Sequence, residues 1–168
     1  MNNFIEQIIL KTGQIEIKKL NKLNELVLNA KGNIIILGNG GSNAIASHIA
    51  EDYTKMLHKP TLSFSDSARL TCYANDYGYE NAFIQYLKEF SQEESLVILI
   101  SSSGNSTNIK NCAEYCANNK RKFILLTGFS NSNSVRSFLN KAELEFWVDS
   151  TDYGVVECIH EIILHSII

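Results

Sequence analysis

Residues 31–44 read KGNIIILGNGGSNA. Lys31-Gly32-Asn33 is a turn, and Ile34-Ile35-Ile36-Leu37 is a short, continuous, mostly β-branched run. A strand with one wet face alternates apolar and polar residues. A run that is apolar at every position predicts a strand covered on both faces, as in a parallel sheet. The pattern recurs at Thr61–Phe64, Leu96–Ile100, Phe123–Leu126 and Leu144–Val148. Helical stretches are predicted at 43–57, 67–75, 79–91, 105–119, 133–140 and 153–167. Strands alternating with helices, with crossovers of a dozen residues or more, imply a parallel sheet with helices on both faces. The expected fold is one doubly wound α/β sandwich of about five parallel strands. From Asn3 to Ala30, apolar residues such as Ile5, Ile8, Ile15, Leu20, Leu23 and Val27 recur at helical spacing. One or two helices, broken near Gly13, are predicted there. Residues 1–30 are therefore expected to be a helical segment ahead of a domain at 31–168.

The 168 residues suit one domain with a sizeable core. Hydrophobic residues make up 45% and charged residues 20%, an ordinary globular mix. The net charge of −3 carries no basic excess, so a nucleic-acid partner is not expected. No apolar run approaches the roughly 18 residues a membrane span needs, and none is expected. The opening MNNFIEQIILKTGQ has no basic leader region and no small-residue cleavage site, so no signal peptide is read there. Cys72, Cys112, Cys116 and Cys158 contain no CxxC pair. They read as free thiols in a reducing cytoplasm rather than as a zinc site.

Ligands of such sheets bind beyond the carboxyl ends of the strands. Two predicted loops there suit an anion. Gly38-Asn39-Gly40-Gly41-Ser42 follows the first strand, and glycines let the backbone approach a phosphate at a helix N-terminus. It matches neither the dinucleotide fingerprint nor the P-loop. Ser101-Ser102-Ser103-Gly104-Asn105-Ser106-Thr107 follows a later strand, with hydroxyls and helix N-terminal amides. One such loop is equally an ordinary helix cap. Two, each at a strand end, point to a phosphorylated small ligand.

His48 and Asp52 are four residues apart and share a helix face, with Glu51 beside them. On the last helix Glu157, Glu161 and His165 fall in one polar arc flanked by His160, opposite Val156, Ile159, Ile162 and Ile163. Either helix alone reads as a solvated face. Together they hold the imidazoles and carboxylates of a divalent-metal or acid–base site.

GNGGS after the first strand and SSSGNS after a later one resemble the sugar isomerase (SIS) domain, and within it the phosphoheptose isomerases. The resemblance extends through SDSARLTCYANDYGYENAF at 65–83 and on to the last helix, over about residues 30–168. It implies a flavodoxin-like fold, a homotetramer with active sites at subunit interfaces, ketose–aldose phosphate isomerisation through an enediol, and in many members zinc. It implies Asn39, Gly40, Gly41, Ser42, Asp76, Ser101, Ser102, Ser103 and Ser106 as substrate-binding positions. Ser42, Ser101, Ser103 and Ser106 are then phosphate ligands, and Asn39 holds the loop or touches sugar hydroxyls. His48, Asp52, Glu157 and His165 match the metal set, with Asp52 as base and His165 as complementary acid or base.

Two positions depart from the family. Asp stands where it has Glu at 52, which retracts the carboxylate by up to about 1.5 Å, one C–C bond. Glu stands where it has Gln at 157. Glu51 and Glu157 are the alternative bases. Asp76 reads equally as a substrate ligand and as a helix-end Asp. Lys55 and Arg69, the nearest basic residues, read as surface charges. Two functions follow: an isomerase acting on sedoheptulose 7-phosphate for heptose and surface-polysaccharide synthesis, or a non-catalytic sugar-phosphate-binding or adaptor protein of the type that associates with the replication initiator. The retained histidine–carboxylate set favours the isomerase.

Overall fold

The computed structural model describes residues 3–168. Five strands form one sheet: β1 (Ile34–Gly38), β2 (Thr61–Ser63), β3 (Leu96–Ser101), β4 (Lys122–Gly128) and β5 (Leu144–Val148). All pairs are parallel, and the order is β2-β1-β3-β4-β5. The register sets Ile34 opposite Leu96 and Gly38 opposite Ile100. The expected five strands in a doubly wound α/β sheet are present.

The isoleucine run is buried throughout, as its composition requires. Its side chains alternate between two cores. Ile34 and Ile36 join one with Ile45, Ile49, Tyr53, Val156 and Ile159. Ile35 and Leu37 join the other with Phe64, Phe83, Tyr86, Ile109 and Phe123. Helices α3 (Gly41–Met56) and α7 (Tyr153–His165) cover the first face, with α2 (Ile17–Leu28) packed beside them on β5 and α1 (Phe4–Gly13) against α7. Helices α4 (Ser67–Tyr77), α5 (Tyr79–Phe90) and α6 (Thr107–Asn118) cover the second. Leu23 and Val27 of α2 are fully buried in the first core. The N-terminal helices therefore complete that face of the sandwich rather than stand apart from it.

Caps set several starts. Asp66 accepts from the Arg69 N–H at 2.8 Å, and Asp152 from the Val155 N–H at 3.2 Å. Two expectations are corrected. The helix predicted from 105 begins at Thr107, because the preceding turn needs Gly104 at φ +67°. The helix predicted at 133–140 is a 3-10 helix, Ser134–Lys141. There Asn133 caps Arg136, while the Arg136 guanidinium is tied to Asn131 and Glu145, and the tighter turn fits this short bridge between β4 and β5.

Candidate active site

The sheet order reverses between β1 and β3, which opens a crevice at their carboxyl ends. A cavity of about 220 Å³ lies there, lined by Asn39, Gly40, Gly41 and Ser42, by Ser101, Ser102, Ser103 and Ser106, and by Tyr153 and Glu157 of α7. The two loops singled out from the sequence thus share one cavity. Gly40 adopts φ +54°, open to glycine, and a Cβ on Gly41 would collide with the Glu157 carboxylate. The first N–H groups of α3 have no intrahelical acceptor and form the positive end of its dipole. Ser42 Oγ lies 3.4 Å from Ser102 Oγ, and Ser101 Oγ donates to Ser106 Oγ at 3.3 Å. The hydroxyls are therefore preorganised around the space between the loops.

Asn39 does not point freely into this cavity. Its Nδ2 donates to Asn108 Oδ1 at 2.9 Å, and its Oδ1 accepts from Asn108 Nδ2 and the Tyr79 hydroxyl, each at 2.8 Å. Of its two sequence-level roles, this geometry serves the first, holding the loop. Neither Asn108 nor Tyr79 is among the expected site residues, although Tyr79 lies in the 65–83 stretch that carries the resemblance. Asn108 is 3% exposed, and a buried amide early in a helix is the only signal that could have found it.

A second cluster lies further along α3 and α7. His48 Nε2 is 3.4 Å and His165 Nε2 3.2 Å from the same oxygen, Asp52 Oδ2. The donor atoms of the three lie within 4.8 Å of one another. The imidazole rings are 5.1 Å apart. Two contacts build this. The i, i+4 spacing puts His48 and Asp52 on one face. The buried Tyr53 hydroxyl donates to the Leu164 carbonyl at 3.0 Å, clamping the residues beside Asp52 and His165 together.

His165 Nδ1 lies 3.1 Å from the Glu161 carbonyl, which can only accept. Nδ1 therefore carries the proton, and the Nε2 of neutral His165 turns a lone pair toward a carboxylate oxygen. Such an arrangement calls for a cation or a proton between them, so the donor set fits a divalent metal.

Glu157, the fourth expected ligand, is not in this cluster. Eight residues of helix separate it from His165, a rise of about 12 Å. It stands with the serines instead, and burial pushes its carboxyl above the usual carboxylate range. Asp76 is exposed on α4, bonded by Cys72 and Asn75, and is not part of the cavity wall. His160, placed beside the polar arc, is instead fully buried, with Nε2 against the Thr127 carbonyl at 3.1 Å. Burial lowers its pKa to about 4. Arg69 lies over the Phe90 ring, away from both sites. All four cysteines are free.

Chemically, the arrangement offers a cation-free anion cavity and, on the same two helices, a carboxylate flanked by two imidazoles. The SIS domain family model matches residues 1–128. The chain is 32% identical over 176 residues to the phosphoheptose isomerase of Fusobacterium nucleatum, which covers 100% of this chain and 86% of that protein. It is 35% identical over 133 residues to that of Cytophaga hutchinsonii, across 76% of this chain and 68% of the relative. The solved phosphoheptose isomerase from Neisseria gonorrhoeae superposes with a TM-score of 0.87 at 24% identity, over 98% of this chain and 92% of that one, and so shares the fold. The chain belongs to the SIS domain family, in its phosphoheptose isomerase group.

Proposed function

We propose that the protein interconverts sedoheptulose 7-phosphate and D-glycero-D-manno-heptose 7-phosphate through an enediol, supplying heptose for surface polysaccharide. The observation that carries this reading is Asp52 held between two imidazoles on the helix whose N-terminus opens the serine cavity. In this reading Ser42, Ser101, Ser102, Ser103 and Ser106, with Gly40 and Gly41, bind the phosphate. The open-chain sugar extends along α3 and α7 toward the histidines, and Asp76 is a substrate contact completed by assembly.

Both imidazoles meet Oδ2 of Asp52, which leaves Oδ1 for chemistry. Asp52 takes the proton from C1 of the ketose and returns it to C2. With Nδ1 held by the Glu161 carbonyl, His165 has one nitrogen, Nε2, to offer: in the metal-free site it exchanges a proton with the oxygens at C1 and C2, and with a metal bound it would serve as a ligand instead. His48, Asp52 and His165 would hold Zn²⁺, which would supply polarisation of the sugar carbonyl. The exposed apolar side chains of Ile5, Ile9 and Ile17 support a homotetramer. His165 borders a groove lined by Phe4, Ile5 and Ile8, which supports a site at a subunit interface. The free cysteines suit the cytoplasm. No helix among the described residues is long and apolar enough to cross a membrane.

The test is incubation with sedoheptulose 7-phosphate, followed by NMR, with zinc and with chelator. Formation of the aldose, lost in Asp52→Ala and His165→Ala, is expected. Folded, zinc-loaded protein that leaves the ketose untouched would sink the reading.

A further inference from the structure

We infer that Asn108 is a positioning residue for the phosphate: its side-chain amide, paired with that of Asn39, fixes the distance between the glycine loop and the serine loop without touching the ligand. The inference rests on the isomerase reading, which places the phosphate between those loops.

The β1–β3 ladder ends with Gly38 opposite Ile100, and beyond it the two segments part into the loops that wall the cavity. One pair of side chains rejoins them. Asn39 Nδ2 donates to Asn108 Oδ1 at 2.9 Å, and Asn108 Nδ2 donates back to Asn39 Oδ1 at 2.8 Å. The two amides close a ring between positions 69 residues apart. Among the described residues, only one other side-chain hydrogen bond spans the loops, Ser42 to Ser102, and at 3.4 Å it is long for two hydroxyls.

Asn108 is the second residue of α6, which begins where the serine loop ends. The Ile109 N–H donates to Asn108 Oδ1 at 3.0 Å, which decides which end of that amide is oxygen and makes the ring reciprocal. The Tyr79 hydroxyl, at the start of α5, gives Asn39 Oδ1 a further donor. Asn39 lines the cavity, whereas Asn108 is buried and does not. A buried amide is tolerated when its polar atoms are paired. Here the partner is the loop that receives the ligand.

Spacing matters because the cavity wall holds no Lys or Arg. Phosphate affinity then depends on hydroxyls and N–H groups contributed from both loops. Such hydrogen bonds keep their strength over only about 0.5 Å of donor–acceptor distance. A misplacement of about 1 Å in a positioned group can cost on the order of 10²-fold. Without the amide ring, Gly41 and Ser42 lose their fixed separation from Ser101, Ser103 and Ser106.

The experiment is calorimetric titration of inorganic phosphate into wild type, Asn108→Ala, Asn108→Ser and Asn33→Ala. KM and kcat for sedoheptulose 7-phosphate, Tm and zinc content are measured beside it. Asn108→Ser keeps a polar side chain suited to a helix start, which guards against a misfolded alanine variant. Asn33 is the control: just before β1, at the other end of the strand, its amide donates to the Phe90 carbonyl at 2.9 Å. Both Asn108 variants are expected to weaken phosphate binding and raise KM by about tenfold or more, with kcat within about threefold and zinc content unchanged. Asn33→Ala should lower Tm without changing phosphate affinity. Asn39→Ala combined with Asn108→Ala should bind phosphate no more weakly than Asn39→Ala alone, since Asn108 acts through Asn39. Unchanged phosphate affinity in both Asn108 variants overturns the inference. So does an equal loss in Asn33→Ala, which would make the effect one of general stability, and so do additive losses in the double variant. Wild type that binds phosphate but leaves the ketose untouched fails the isomerase reading alone, and the phosphate titrations still judge Asn108. Wild type that binds neither ligand fails both.

Discussion

His165 Nε2 lies 3.2 Å from Asp52 Oδ2 while His165 Nδ1 is committed to the Glu161 carbonyl. The backbone of one helix thus dictates which face of the imidazole meets the carboxylate of another. His165→Ala and Asp52→Ala should each lower turnover by about 10²–10⁴-fold, the usual scale of a positioned acid or base. Steady-state kinetics, with the zinc content of each protein measured beside its turnover, would check this. A loss below tenfold in either would remove that residue from the proton-transfer steps.

Zinc should raise thermal stability as well as activity, since a ligand that binds only the folded state stabilises it by mass action. Dialysis against chelator should lower Tm, and added zinc should restore it in wild type but much less in His48→Ala. A Tm indifferent to zinc in wild type would argue against the three-residue site.

Tyr53→Phe removes one hydroxyl, the one that ties α3 to Leu164. The fold should survive at a cost of about 1 kcal/mol, the net worth of a buried hydrogen bond. Zinc affinity should fall by about 10–100-fold, because the clamp orients two ligands without touching the metal. Zinc titration beside a denaturant melt separates the effects. Equal zinc affinity in the two proteins would make Tyr53 a packing residue only.

Gly41→Ala should close the cavity without unfolding the chain. The added methyl meets the Glu157 carboxylate, which must swing into the space between the serine loops. KM should rise at least tenfold with a smaller change in kcat, whereas a collapse of Tm would show that the loop itself had been broken.

His160 predicts a specific acid sensitivity. Its ordinary value is 6.5, and burial in the folded protein lowers it to about 4. Above pH 6.5 both folded and unfolded forms are neutral, and the group contributes nothing. As pH falls through that window the unfolded chain takes the proton first, so stability drops, levelling off below about 4. The full loss is about 3 kcal/mol at 1.36 kcal/mol per pH unit. His160→Leu should flatten the stability curve between pH 6.5 and 4 relative to wild type, as read by denaturant melts across pH. An unchanged pH slope would mean that other groups carry the acid response.

Much of this was legible before folding was considered. The all-apolar, mostly β-branched run at Ile34–Leu37 suits a strand buried on both faces, and its recurrence between helical stretches implies a parallel sheet and its crossovers. The glycine and serine loops were legible because their backbone chemistry is local. So was the pairing of His48 with Asp52, which a single helix repeat imposes. What one helix cannot specify is its rotation and depth against its neighbours. That is why His160 turned out to be a core residue, why Asn39 was drawn into a network with Asn108 and Tyr79, and why Glu157 and His165, on one polar arc, stand at different ends of the crevice. The periodicity of a sequence says which side chains share a face. Only the packing of α7 on α3 and the sheet, through contacts such as Tyr53 to Leu164, decides what that face meets.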